Sequence, residues 1–246
     1  MTTIKIRNKN AIIELLKGGK VFEKILLAEG LKPDALTKNI LALAGKRKIP
    51  VETKPWKMME KGRSGGTPEV LLGLLAEPSD WKLKDILADI SIHNQLPFFL
   101  ILNRVNYPSN IGFIARTAFA AGVNGLFYQG DKELFLNEET IHFSLGAIAR
   151  IPLIKMSVFE ALNELKSNNV KTYALHMQGE TYFKEDLTGP AAFVLGAENE
   201  GLSEKICDRC DQKLSIPMQS GIDSLNVGAT AAIVLYEKIR QDTLIK

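Results

Sequence analysis

The sequence predicts an α/β protein whose larger part is a mostly parallel sheet with helices on both faces. Three observations favour this fold class. From residue 96 onward, strand-like and helix-like segments alternate. The strand segments are almost continuously apolar, as is typical of strands buried on both faces. Before residue 78, a shorter alternation of the same kind predicts a second, smaller α/β unit.

The first 78 residues contain the elements of the smaller unit. Apolar residues at helical spacing in NAIIELLK predict a helix that ends at Gly18 and Gly19. Further along, DALTKNILALAGKRK predicts a second helix and KPWKMMEKGR an amphipathic segment. The strand segments are VFEKILLAEG, IPVETK and the apolar run after the glycine-rich turn in SGGTPEVLLGLLAEP. We therefore assign residues 1–78 to one α/β domain.

Residues 79–95 begin with a polar stretch that follows a proline and continue into a helix, and we assign them to a linker. Residues 96–246 then form the second domain. Its strands are predicted in PFFLIL, GLFYQ, ARIPLI, VKTYALH, AAFVLG and KLSIPM. Its helices are predicted in NIGFIARTAFAAG, SVFEALNELKS, LSEKICDR and NVGATAAIVLYEKIRQD.

Composition and charge argue against several classes of protein. The formal net charge of +3 is mildly basic and compatible with nucleic-acid binding. No apolar run approaches the roughly 18 residues that a membrane span needs, and the N-terminus lacks the apolar block of a secretory signal. We therefore expect a cytoplasmic protein. Cys207 and Cys210 are too few for a disulfide framework, and with no second ligand pair we expect structural thiols and no metal site.

Ligands of open α/β sheets bind beyond the carboxyl ends of strands, so the loops after three strands are candidate sites. The first loop leads into NIGFIARTAFAAG, where we expect Asn110 to be the N-cap. Arg116 is the only charge on this helix and lies off its apolar stripe, roughly 140° from Ile111. An arginine in an arbitrary helix is more often simply solvated. Because the rest of this helix is small and apolar, we interpret Arg116 as facing a site.

The other two loops are rich in glycine and small polar residues. In FVLGAENEGLS, Gly196 and Gly201 permit either close approach to a ligand or a tight turn, and Glu198 is a catalytic candidate. In IPMQSGIDSLN, Ser224 and Asn226 are expected to cap the last helix. The chain has no glycine-rich dinucleotide motif and no P-loop, and its histidines are scattered. These features argue against dehydrogenases, P-loop NTPases and hydrolase triads.

Taken together, the three loops resemble the motifs of the SpoU (TrmH) family of RNA 2′-O-ribose methyltransferases in the SPOUT superfamily. The matching stretches are NYPSNIGFIARTAFAAGV, FVLGAENEGLS and IPMQSGIDSLNVGATAAIVLYE, in family order and spacing. The N-terminal segment is similar to the family's substrate-binding extension, whose fold resembles certain ribosomal RNA-binding proteins. The resemblance implies a C-terminal trefoil knot, a homodimer, S-adenosylmethionine as methyl donor and RNA as substrate. By analogy, the two-domain layout favours 23S-type large-subunit ribosomal RNA over transfer RNA.

The resemblance also implies roles for individual residues. Arg116 matches the family's catalytic arginine. Because a guanidinium stays protonated, we expect it to bind a phosphate and stabilise the developing alkoxide. Asn110, Glu198, Ser224 and Asn226 match the other polar motif residues and are expected to set the geometry of the site. The residues expected to bind the cofactor, partly through their backbone, are Gly196, Ala197, Gly201, Ile216, Met218, Ser224, Leu225 and Asn226.

Two basic clusters in the first domain are candidate RNA contacts. One is Lys46, Arg47 and Lys48, and the other is Lys54, Lys57, Lys61 and Arg63 around Trp56. A charge run is equally consistent with a solvated face. Four alternatives remain open: a transfer-RNA methylase, a drug-resistance ribosomal methylase, a non-catalytic RNA-binding or assembly factor, and an unrelated doubly wound enzyme for a small molecule.

Overall fold

The computed structural model of this chain describes residues 3–59, 70–197, 200–219 and 224–244, which build two β-sheets. The elements of the N-terminal unit are β1 Thr3–Ile6, α1 Lys9–Lys17, β2 Phe22–Ala28, α2 Ala35–Lys46, β3 Val51–Lys54 and β4 Leu71–Ala76. The strand order is β1-β4-β2-β3, with a parallel pair only between β2 and β3. The predicted helices and strands of this unit are confirmed, and β1 is an additional strand.

Capping residues explain where the helices of the N-terminal unit begin. The Asn8 side chain accepts hydrogen bonds from the backbone N–H groups of Asn10 and Ala11, and Asp34 accepts one from Thr37. Each cap satisfies donors that have no partner inside the helix. The predicted amphipathic segment after β3 is a short 3-10 turn, Trp56–Met58, and its remainder from residue 60 lies outside the described residues.

The second sheet has six strands, all parallel to their neighbours, in the order β10-β8-β9-β5-β6-β7. This confirms the predicted parallel sheet. The strands are β5 Phe98–Leu102, β6 Gly125–Tyr128, β7 Leu153–Lys155, β8 Lys171–Thr181, β9 Ala191–Leu195 and β10 Gln212–Ser215. The helices are α3 Leu83–Ile92, α4 Pro108–Ala120, α5 Lys132–Phe135, α6 Glu138–Ser144, α7 Val158–Ser167, α8 Glu204–Cys207 and α9 Val227–Leu244.

Helices cover both faces of this sheet, as the sequence predicted. Along β5, the side chains of Phe98, Leu100 and Leu102 enter one core with α4, α6 and α9. Phe99 and Ile101 point to the opposite face and pack with α3, α7 and α8. A strand with both faces buried has to be apolar at every position, which is why FFLIL does not alternate.

The pairing of β8 with β10 is interrupted by a bulge of five residues in β8. Lys213 pairs with Ala174, but the next residue of β10, Leu214, pairs with Glu180, so residues 175–179 leave the ladder. Gly179 fits beside β10 because a Cβ atom there would lie 2.5 Å from the backbone nitrogen of Leu214. The predicted strand VKTYALH is therefore only the first part of β8, and its last residues belong to the bulge.

The two units share polar and apolar contacts. Arg7 pairs with Glu138 on α6, and the Asn8 side chain lies 3.0 Å from Nδ1 of His142. Arg150 forms an ion pair with Glu14 of α1 at 3.6 Å. Buried residues of α1 and of α4 belong to one continuous hydrophobic core. The N-terminal unit is therefore docked on the face of the parallel sheet that carries α4.

A membrane-spanning helix is not found among the described residues, whose helices are too short or too polar to cross a bilayer.

Candidate active site at the ends of three strands

A cavity of about 320 Å³ opens where β8, β9 and β10 meet; we call it the loop cavity. Its walls come from the turn that follows β9, from the segment between β10 and α9, and from the bulge of β8. The walls are largely apolar, and Leu195, Leu202, Leu214, Ile216 and Leu225 line them. A concave apolar pocket with a few polar groups is the usual form of a small-molecule site.

Two of the three sequence motifs converge on the loop cavity. The predicted cofactor residues that line it are Gly196, Ala197, Gly201, Ile216, Met218, Ser224 and Leu225. Asn226 follows them directly in the chain but does not line the cavity, and Glu198 lies outside the described residues. These segments are far apart in sequence, so their convergence comes from the fold.

The turn after β9 is very tight and forms one wall of the loop cavity. The Gly201 N–H donates to the Ala197 carbonyl oxygen over 2.9 Å, and Gly201 has a φ of +64°, which favours glycine. A Cβ atom on Gly196 would lie 2.3 Å from the Gly201 carbonyl carbon and 2.7 Å from the Leu202 nitrogen. Both glycines are therefore required by the backbone geometry of this wall.

The predicted role of Asn110 as an N-cap is wrong. The helix α4 begins three residues earlier than predicted, with Tyr107 at the N-cap and Pro108 in the first helical position, where its fixed φ suits a helix start. Asn110 is buried instead, and its Oδ1 accepts a hydrogen bond of 2.9 Å from Nδ2 of Asn226. This bond joins the first motif to the third.

Asn226 caps α9, as predicted. Its Oδ1 accepts a hydrogen bond of 2.8 Å from the backbone N–H of Gly228, while its Nδ2 reaches Asn110. A Cβ atom on Gly228 would lie 3.4 Å from the Cβ of Phe113, which shows how closely α9 approaches α4 here. One side chain therefore fixes the start of α9 and its position against α4.

We expect Asn226→Ala to lower the free energy of unfolding by about 1–2 kcal/mol, because it removes both the cap and the bond to a buried amide. Asn226→Asp keeps an acceptor for the Gly228 N–H and should recover the cap contribution alone. Urea unfolding of the three proteins measures the difference. Equal stability of wild type and Asn226→Ala would show that this amide does not hold the two motifs together.

Arg116 is not among the residues that line the loop cavity. It is exposed on α4, six residues after Asn110, which places it about 9 Å further along the helix axis. No hydrogen bond or ion pair joins it to another of the described residues. The fold therefore brings the first motif to the cavity through Asn110 and Asn226, but leaves its arginine at the surface.

The bulge of β8 contributes cavity residues that the sequence motifs did not indicate. Leu175, His176 and Met177 line the loop cavity. The Nδ1 atom of His176 accepts a hydrogen bond of 3.3 Å from the Gln178 N–H, and Nε2 lies 3.7 Å from a carboxylate oxygen of Glu204. The signal that could have found them is Gly179, because a glycine inside a strand pattern often marks a bulge.

Cys207 is the last residue of α8 and Cys210 follows three residues later; neither lines the loop cavity. Burial raises the pKa of the Cys210 thiol to about 12, and burial also raises the pKa of the Cys207 thiol. Thiols with raised pKa values stay protonated at neutral pH and are poor nucleophiles and metal ligands. In the part of the chain that the structure describes, no group of three or more His, Cys, Asp or Glu side chains could hold a metal ion.

Comparison with known proteins gives two family matches. Residues 97–236 match the model of the SpoU rRNA Methylase family, and residues 9–69 match that of RNA 2′-O ribose methyltransferase substrate binding. The 23S rRNA (guanosine-2′-O-)-methyltransferase RlmB of Yersinia pestis is 32% identical over 197 residues, which cover 78% of each chain.

Two solved structures share the fold over nearly the whole chain. The AdoMet complex of the SpoU methyltransferase AviRb from Streptomyces viridochromogenes has a TM-score of 0.80 at 23% identity, covering 97% of this chain and 90% of AviRb. The AdoMet-bound rRNA methyltransferase from Sinorhizobium meliloti has a TM-score of 0.74 at 22% identity, covering 97% and 87%. Since the first family match spans more than half of the sequence, the chain belongs to the SpoU rRNA Methylase family.

Proposed function

We propose that this chain methylates a ribose 2′-hydroxyl of large-subunit ribosomal RNA, with S-adenosylmethionine as the methyl donor. The observation that carries the proposal is the convergence of the second and third SpoU motifs on one cavity. Its RlmB relative is a 23S rRNA methyltransferase that acts on guanosine, and we propose guanosine as the nucleoside here. Mapping of ribose methylation in RNA from cells with and without the protein tests this. Loss of a mark only in transfer RNA would contradict it.

The residues of the loop cavity fit the cofactor. Apolar side chains such as Ile216 and Leu225 suit the flat adenine ring, and the backbone at Gly196 and Met218 offers hydrogen-bonding groups beside it. When bound, S-adenosylmethionine supplies a methyl group activated by a sulfonium. Calorimetric titration with S-adenosylmethionine separates an enzyme from a non-catalytic factor on the same fold, since such a factor need not bind it.

A ribose hydroxyl is a poor nucleophile, so the protein has to position it and stabilise the charge that develops on its oxygen. We assign this to Arg116, whose protonated guanidinium can hold a phosphate through two hydrogen bonds. Asn110 and Asn226 hold the start of α9 in place. Ser224 lies at the cavity and, with Glu198, is assigned to contacts with ribose or cofactor.

Because Arg116 is exposed and does not line its own cavity, we propose that it serves the cavity of a second copy in a homodimer. Phe113 lies one turn before Arg116 on α4 and is 47% exposed, and Tyr236 on the neighbouring α9 is 49% exposed. Large apolar side chains left at the surface on adjoining helices are typical of subunit interfaces. A two-fold dimer would place two such sites symmetrically.

We also propose one function for each predicted segment. Residues 1–78 bind RNA, residues 79–95 link the two domains, and residues 96–246 form the domain that catalyses methyl transfer. Helix α3 lies inside the proposed linker and packs on the parallel sheet through Leu83, Ile86 and Ile90. The trefoil knot also stays a prediction, since residues 198–199 and 220–223 of the relevant loops lie outside the described part.

RNA affinity should depend on the first basic cluster. Lys46, Arg47 and Lys48 are all exposed at the end of α2. Replacing all three by glutamine should weaken RNA binding and reduce the slope of log affinity against log salt by about 2–3, because each phosphate contact contributes about 0.7–0.9. The measurement is RNA binding at several salt concentrations.

A matched control replaces three exposed lysines of the second unit, Lys155, Lys166 and Lys184, by glutamine. It makes the same change in net charge and should leave the slope nearly unchanged. Equal slopes for both triple variants would mean that the cluster at the end of α2 is only solvated. For the second cluster, Lys54, Trp56 and Lys57 are described, whereas Lys61 and Arg63 are not.

A further inference from the structure

A second cleft, of about 640 Å³, adjoins the loop cavity at residues 200 and 201; we call it the strand-end cleft. It opens at the carboxyl ends of β5 and β6 and shares Glu200 and Gly201 with the loop cavity. Here β5 lies between β6 and β9, so the strand order reverses, and such points collect ligands in open sheets. Two cavities that share a boundary suit two molecules that react with each other.

One wall of the strand-end cleft carries side-chain amides with unused hydrogen-bonding capacity. Asn103 follows β5, Asn106 lies further along the same loop, and Gln129 follows β6. None of these three amides forms a hydrogen bond to another residue that the structure describes. Each amide offers two donors and an acceptor, which is the complement of a nucleobase edge.

The strand-end cleft also offers an aromatic face. Phe159, near the start of α7, lines the strand-end cleft and is 39% exposed. Beneath it, Val158 and Ile206 are buried and form an apolar floor. The guanidinium carbon of Arg209 lies over the Phe159 ring, 5.7 Å from its centroid, and Arg209 is not among the residues that line the cleft. An exposed ring over an apolar floor is a stacking surface for a base.

Two cationic side chains, Arg104 and Lys205, line the strand-end cleft. Arg104 has a φ of +58°, an unusual conformation for arginine, and pairs with Glu200 at 3.2 Å. Both side chains are 73% exposed, so the pair is weak and a phosphate can take the place of the carboxylate. Lys205 supplies a second cation to the same cleft.

We propose that the strand-end cleft binds the target ribonucleotide of the RNA. The base stacks on Phe159 and meets the amides, a phosphate binds Arg104 and Lys205, and the ribose lies at the rim formed by Glu200 and Gly201. That rim is the boundary with the loop cavity, so the 2′-oxygen faces the methyl donor. The proposal rests on the proposed function, which it extends by assigning the site of the acceptor.

Titration of the full-length protein with guanosine and with guanosine 5′-monophosphate, followed by NMR shifts, tests the assignment without catalysis. Phe159→Ala should weaken both ligands by about 10- to 100-fold, because both stack a base. Arg104→Gln should weaken the nucleotide and leave guanosine unchanged, because only the nucleotide carries a phosphate. Phe183→Ala, which removes another phenylalanine that is 53% exposed and outside the cleft, should change neither affinity.

The same variants are then assayed for RNA methylation. Phe159→Ala should lower kcat/KM for RNA by about 10- to 100-fold while the affinity for S-adenosylmethionine stays within twofold of wild type. A Phe159→Ala protein that binds nucleotide and turns over RNA like wild type overturns the cleft assignment and leaves the methyltransferase proposal standing. A wild-type protein that methylates no RNA overturns the proposed function, and the nucleotide titration still decides whether the cleft is a ribonucleotide site.

Discussion

Gly196→Ala is expected to weaken S-adenosylmethionine binding by about 10- to 100-fold. The added Cβ would lie 2.3 Å from the carbonyl carbon of Gly201 and 2.4 Å from its oxygen, so backbone has to move. Forcing a methyl group into a packed site costs about 1–3 kcal/mol, and 1.4 kcal/mol corresponds to tenfold in affinity. The backbone that has to move forms one wall of the loop cavity. The substitution therefore makes the free energy of S-adenosylmethionine binding less favourable. Calorimetric titration measures it.

Gly45→Ala is the matched control for this substitution. Gly45 lies in α2, and a Cβ atom there would meet nothing within 4 Å. The variant should bind S-adenosylmethionine like wild type and be more stable by about 0.5–1 kcal/mol, because alanine is the better helix former. If Gly196→Ala bound the cofactor within twofold of wild type, the tight turn would not be what shapes the site.

Arg116→Ala is expected to lower single-turnover methylation by about 10²–10³-fold, the usual effect of removing one group that stabilises a developing oxyanion. The affinity for S-adenosylmethionine should stay within about twofold of wild type, because we assign Arg116 to an RNA phosphate and the acceptor oxygen and not to the cofactor. Arg116→Lys should recover little, since an ammonium cannot hold a phosphate through two parallel hydrogen bonds. Near-normal turnover in both variants would remove Arg116 from the mechanism.

Mixed dimers decide which chain Arg116 serves. Arg116→Ala and Gly196→Ala chains with different tags are co-expressed and assayed at a cofactor concentration near the wild-type Kd. If Arg116 acts on the partner's cavity, half of the dimers are mixed and each has one intact site, so about a quarter of wild-type activity returns. If it acts on its own cavity, a mixed dimer has no intact site and activity stays at the level of the separate variants.

The long buried elements could be predicted from the sequence because their pattern has one physical cause. A strand such as β5 is apolar at every position since both of its faces are covered. Shorter elements were not predicted, because their stability comes from tertiary contacts that the pattern of apolar residues does not show. Helix α6 is mostly polar, but Asn137 caps it by accepting from the Thr140 N–H, and Ile141 is fully buried. The strand β1 forms only because β4 lies beside it.

The sequence motifs predicted part of the lining of the candidate site, but residues outside these motifs could not be predicted. The resemblance to the SpoU motifs indicated residues that line the loop cavity, whereas the glycines alone left a tight turn or a ligand contact open. Gly196 and Gly201 form a tight turn that is one wall of this cavity. The cap assigned to Asn110 was wrong because Pro108 offers an earlier helix start. The contribution of His176 and Met177 arises from a register shift between β8 and β10, which is a property of two strands and not of either sequence alone.

The strand order also bears on how the protein is made. Strand β5 lies between β6 and β9, and β9 begins only at Ala191. After Leu102 leaves the ribosome, the residues from 103 to 190 must be synthesised first, which takes roughly 4–18 s at 5–20 residues per second. Throughout that interval one edge of an apolar strand has no hydrogen-bonding partner of its own, and such an edge can pair with other nascent chains. The yield of native protein therefore depends on how well this edge is shielded during translation.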